Sequence, residues 1–170
     1  MPFHSQIPPP QGAGSPFDRP GGVPREDDLA ALRPIRAVLG RDDYWRLNEH
    51  RRRCEALGGP LFLRLARLIR AKMLDATVED SDALPPVAVT GTSCVTFAID
   101  RRRPETQVLY HWGYADRARS RLPVGTFLGV TLIGMTVGQR MVLLNGSGVA
   151  GEVRVLAVQP GDTAGGPLFA

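Results

Sequence analysis

The sequence is short of aromatic residues, at 6% of 170, and nearly devoid of lysine, histidine and cysteine. Each shortage excludes something. The two cysteines, Cys54 and Cys94, stand far apart without CxxC spacing, so neither a disulfide framework nor a zinc knuckle is encoded, which fits a reducing compartment. No apolar run approaches the roughly 20 residues that cross a bilayer. The N-terminus lacks the basic and apolar regions of a secretory signal, and the expectation is a soluble, cytoplasmic protein without a membrane partner. The three histidines, His4, His50 and His111, sit in no metal-spaced or nucleophile-activating motif and read as solvated or core-edge residues. Cys94 reads as a small core residue, because nothing basic lies beside it to make a thiolate. Gly125–Gly129 and Asn145–Gly148 lack the spacing of phosphate-binding loops and read as turns. The expectation is therefore no catalytic residue, no metal and no cofactor.

What is present is arginine. The 21 basic residues include one lysine, Lys72, and exceed the 17 acids to give a net charge of +4. That value hides a division. Residues 33–72 hold eleven basic against four acidic residues, a balance of +7, and the remainder carries −3. Arg46, Arg51, Arg52, Arg53, Arg64 and Arg67 form the candidate basic helix face, either a solvated surface or a face that docks on an acidic protein channel or nucleic acid. Arg51, Arg52 and Arg53 are consecutive and cannot all point one way on a helix. Few aromatics lie nearby, which argues against sequence-specific reading of RNA bases.

The hydrophobic period changes once along the chain. Residues 1–24, rich in proline and glycine, predict a disordered tail, and residues 160–170 a flexible one. Residues 25–78 predict a helical hairpin preceded by an extra helix at 26–39. The first hairpin helix starts near Asp42 and carries Tyr44, Leu47, Arg51 and Cys54. The second runs from Leu61 to about Ala76 with Leu61, Leu65, Leu68 and Ile69 as its stripe. Leu57, Gly58, Gly59 and Pro60 form the predicted hairpin tip, since two glycines permit a left-handed cap and proline opens the next helix. Residues 79–86, acidic and closed by Pro85-Pro86, predict a linker. Residues 87–159 predict a small antiparallel sheet domain. One strand holds Val87, Val89, Val95, Phe97 and Ile99, a second holds Val108, Tyr110 and Trp112, and a last pair flanks Asn145–Gly148. Period alone does not decide between helix and strand for Gly129–Gly134. The fold class is α+β, a helical hairpin followed by a small sheet domain with one short helix.

Gly129, Gly134 and Gly138, followed by a glycine turn and Val153-Arg-Val-Leu-Ala-Val158, resemble the C-terminal domain shared by the Gre transcript-cleavage factors and Rnk, the regulator of nucleoside diphosphate kinase. Val89-Thr-Gly-Thr-Ser93 resembles the opening strand of that domain, and the resemblance spans residues 87–158. It departs at Thr126-Phe127, where the family has Ser-Pro, and at Gln139, where it has an acid. The resemblance implies an FKBP-like domain that docks on RNA polymerase beside its secondary channel, with Thr126, Phe127, Leu128 and Gly129 in the docking loop. In the family, acidic residues at the tip of a long coiled coil supply a metal ligand for transcript cleavage. The tip here, Leu57–Leu61, has no carboxylate, and the short hairpin looks more like that of Rnk. The resemblance thus implies a non-catalytic transcription regulator with RNA polymerase as partner and possible nucleic-acid contact in the complex. Two other readings remain open: a nucleic-acid-binding module using the arginine-rich helices, and a peptidyl-prolyl isomerase, the latter by fold analogy alone.

Overall fold

The computed structural model of the chain describes residues 36–112 and 120–161. The predicted N-terminal tail, the start of the predicted helix at 26–39 and the last nine residues lie outside the described residues.

Where the sequence reading continues a helix to residue 39, the structure has a strand, β1 (Val38–Gly40), paired in parallel with β2 (Thr77–Glu79). Between them run α1 (Arg41–Leu57) and α2 (Gly59–Asp75). The strand pair clasps the open end of the hairpin, and residues at both its ends are thereby fixed. The tip is tighter than predicted. Gly58 alone connects the helices, and Gly58 and Gly59 both take positive φ, 65° and 79°, which a side chain rarely tolerates. Each helix spans about 25 Å at ~1.5 Å per residue.

The buried stripes differ from those expected. On α1 the buried residues are Asp43, Leu47, His50 and Cys54, spaced by four, three and four; Tyr44 only packs at the edge of the core and Arg51 is outside it. On α2 they are Leu65, Ala66, Ile69 and Lys72, while Leu61 remains half exposed. After β2 a single 3-10 turn, Ser81–Ala83, occupies the predicted linker.

The second layer is a five-stranded sheet in the order β5-β4-β3-β7-β6, made of β3 (Cys94–Ile99), β4 (Glu105–Tyr110), β5 (Arg121–Pro123), β6 (Arg140–Leu144) and β7 (Val149–Gln159). Neighbours are antiparallel except β4 and β5, which run parallel. The first predicted strand breaks at Thr90–Ser93. Val87 to Val89 pair instead with the 134–137 segment, through Val89 N–H to the Met135 carbonyl at 2.8 Å and Gly134 N–H to the Val89 carbonyl at 2.8 Å. On β4 the core face is the opposite of that predicted. Leu109 is buried, and Val108 and Tyr110 lie on the half-covered side, because β4 pairs with β3 so that Leu109 joins Val95 and Phe97. The ambiguous 129–134 stretch is largely helical, forming α3 (Phe127–Leu132).

One core serves both layers. Leu39, Leu47, Leu65 and Ile69 from the hairpin side join Val95, Phe97, Leu109, Val130, Leu132, Ile133 and Val155 from the sheet side. Each large side chain buried there contributes about 1.5–3 kcal/mol relative to exposure.

Candidate partner-binding site at the hairpin and the short helix

The glycine-spaced segment forms α3 and the turns after it. Thr126 N-caps the helix: its Oγ1 accepts from Gly129 N–H at 3.1 Å and donates to the Pro123 carbonyl at 2.8 Å. Gly129 is buried with its Cα against backbone, and a Cβ there would lie 2.2 Å from the Pro123 carbonyl oxygen. Gly134 and Gly138 turn at positive φ, 78° and 88°. The side chain of Gln139, which stands where the resembled family has an acid, accepts from Thr136 N–H at 3.0 Å and closes the second turn. The three glycines are therefore required by backbone geometry. Thr126, Phe127, Leu128 and Gly129, expected in a loop, form a helix cap and first turn. Phe127 and Leu128 are half-buried and packed against the core.

Lys72, the single lysine, fixes α3 from below. Its Nζ is buried and donates to the carbonyls of Val130 at 2.6 Å and Thr131 at 2.5 Å, capping the C-terminal end of the short helix. Burial lowers its pKa from 10.5 to about 7.

The predicted basic face does not converge. Arg51 pairs with Glu55 at 2.6 Å and donates to Asn48; Arg53 pairs with Glu49 at 3.2 Å and lies 3.9 Å over the Trp112 ring. Arg64 donates to the Gly146 carbonyl across the layers. Arg46, Arg52 and Arg67 are exposed with no side-chain hydrogen bond or ion pair among the described residues. The predicted tip stays together: Leu57 is 66% exposed, Gly59 and Pro60 are exposed, and Leu61, Phe62 and Leu63 extend an apolar surface along α2. The carboxylate nearest the tip in sequence, Glu55, is held by both oxygens on Arg51.

Two residues that the sequence reading set aside are central to the architecture. Asp43, His111 and His50 form a buried chain. Asp43 Oδ1 lies 2.9 Å from His111 Nε2, His111 Nδ1 lies 3.3 Å from His50 Nε2, and Asp43 Oδ2 accepts from Gly91 N–H at 3.0 Å. The Asp43 carboxylate only accepts, so His111 Nε2–H donates to it, and the second imidazole continues the chain to α1. His50 also stacks on Trp112 with centroids 4.1 Å apart. Burial, then the neighbouring His111 and Arg53, lower the His50 pKa to about 4. The available signal was the four-three-four spacing of Asp43, Leu47, His50 and Cys54, which puts two polar residues in an apolar stripe. Among the described residues no group of three or more His, Cys, Asp or Glu side chains could hold a metal ion. No described helix is long and apolar enough to cross a membrane.

Between the layers lies a cavity of about 550 Å³, open to solvent, lined on α2 by Arg64, Arg67, Leu68 and Ala71 and on the far side by Phe127 and the Leu144–Gly148 turn.

An α-helical hairpin clasped by a parallel strand pair and laid on a curled, mostly antiparallel sheet with one short helix defines the architecture. No family model and no curated protein matches the sequence. Among solved structures the chain is similar to the prokaryotic transcription elongation factor GreA/GreB from Nitrosomonas europaea. The TM-score is 0.54 at 21% identity, covering 72% of this chain and 98% of that one. It also matches the GreA factor homolog Gfh1 of Thermus thermophilus, at TM-score 0.34 and 14% identity, and Gfh1 of Thermus aquaticus, at 0.36 and 16%. Each covers 72% of this chain, with 98% and 97% of the respective relative. The first of these likenesses establishes a shared fold.

Proposed function

We propose that the protein is a non-catalytic transcription regulator of the Gre-like kind, which binds RNA polymerase near its secondary channel in the cytoplasm and does not stimulate transcript cleavage. The shared fold and the glycine-spaced segment support the partner. The observation that carries the second half is the tip. Leu57–Leu63 is apolar and exposed, and the adjacent Glu55 is neutralised by Arg51. A metal ion needs oxygen ligands from carboxylates or carbonyls facing it, and such a tip offers no carboxylate. The hairpin is also short and braced. His50, Lys72 and Arg64 tie it to the sheet layer along most of its length, so it acts as a buttress beside the docking surface, and its shortness is the feature that resembles Rnk.

Titration of the purified chain onto core RNA polymerase tests the partner. Saturable binding that weakens with salt is expected, because the exposed arginines supply part of it. Phe127→Ala should weaken binding while the melting transition remains sharp. No detectable binding at moderate ionic strength would overturn the proposal.

A further inference from the structure

The cavity between α2 and the β6–β7 turn is an unassigned surface, and its chemistry is one-sided. Leu68, Ala71, Phe127 and Leu144 make an apolar floor, Arg64 and Arg67 stand on one wall, and among the described residues no acidic side chain lines it. Arg64 closes one end by donating to the Gly146 carbonyl, which fixes the guanidinium beside the opening. Arg67 is exposed and has no side-chain partner among the described residues. The surrounding stretch, residues 33–72, carries the +7 excess of the chain.

We propose that this groove binds an acidic protein segment, seating one large apolar side chain over Leu68, Ala71 and Phe127 while flanking carboxylates pair with Arg64 and Arg67. An apolar floor rewards burial of a hydrocarbon or aromatic side chain, and a guanidinium fork on the rim pairs best with a carboxylate. A nucleic acid would be served poorly, because among the described residues only two cations face the groove and its one aromatic ring, Phe127, is half-buried against the core. A volume of about 550 Å³ accommodates one or two side chains and their backbone. The inference shares Phe127 and the exposed arginines with the polymerase reading but does not rest on it, since a chain that captures such a segment at Ala71 and Arg67 without binding polymerase would leave it standing.

The test is selection from a random phage-displayed peptide library on the intact chain, followed by anisotropy measurements with the selected peptides carrying a fluorescein label. Two variants interrogate the groove without touching the core. Ala71→Trp fills it from an exposed helix position, and Arg67→Glu reverses the charge of an exposed side chain. Selected peptides should carry Asp or Glu on either side of a large apolar residue, and should bind each variant about tenfold more weakly. Melting curves of both variants should match that of the parent chain. The proposal is overturned if selection yields no saturable binder, if the selected peptides lack acids, or if they bind Ala71→Trp as tightly as the parent. A single-stranded oligonucleotide that displaces the peptides from the parent, at an affinity lowered by Ala71→Trp, would overturn it in favour of nucleic acid.

Discussion

Asp43 is the residue on which the junction between the layers turns. It is 8% exposed, accepts from both His111 and the Gly91 amide, and thereby orients the imidazole pair that reaches back to α1. Replacing it by alanine leaves a buried amide and a buried imidazole donor without an acceptor. Asp43→Ala should therefore lower stability by about 2–3 kcal/mol, measured by urea denaturation. His50 adds a pH dependence of definite sign. Its pKa in the folded chain is about 4 against an ordinary 6.5, so between these values the unfolded chain holds the extra proton. Its effect is absent above pH 6.5, and stability falls as the pH drops toward 4. The groups facing it, His111, Arg53 and Glu49, modulate that fall, and His50→Gln should flatten it. Gly129 gives a third outcome at this scale. Gly129→Ala places a methyl group against the backbone of Pro123 and Val124 and should cost about 1–3 kcal/mol, whereas alanine at exposed position 147 should cost little.

At the scale of elements, the helical hairpin, the last strand pair and the glycine turns are legible in the sequence, because their periods and turn residues act locally. The elements set by distant pairing are not. Val38–Gly40 is a strand only because Thr77–Glu79, nearly forty residues on, lies alongside it. Leu109 faces the core because β3 dictates the register of β4, although Val108, Tyr110 and Trp112 make the more conspicuous apolar series. The candidate site divides the same way. The acid-free tip can be read directly from Leu57 to Leu61, but the Asp43–His111–His50 chain joins residues more than sixty positions apart, and the place of His50 in its helical stripe marks burial without naming the partner. Lys72 is the clearest element-level device, since one amine holds the carbonyl end of α3 against α2. Lys72→Ala should cost about 1–3 kcal/mol and speed amide exchange in α3 more than in β3 and β7.

For the whole molecule, the shared core has a consequence for how the chain unfolds. Leu47 and Ile69 belong to the same cluster as Phe97 and Val155, so the hairpin has no separate interior to retain once the sheet is lost. Unfolding followed by helical circular dichroism and by tryptophan fluorescence, with Trp45 on α1 and Trp112 beside His50, should give coincident transitions. The same bracing defines the functional claim. On the function proposed above, a hairpin fastened along its length and ending in an apolar tip would sit on the polymerase without delivering carboxylate ligands for a metal ion. The most direct measurement is cleavage of a radiolabelled transcript in a backtracked elongation complex, with and without an added cleavage factor whose tip is acidic. The chain alone should leave the transcript intact, and an excess of it should slow the cleavage stimulated by the added factor; stimulation of cleavage by the chain alone would overturn the non-cleaving role proposed for it.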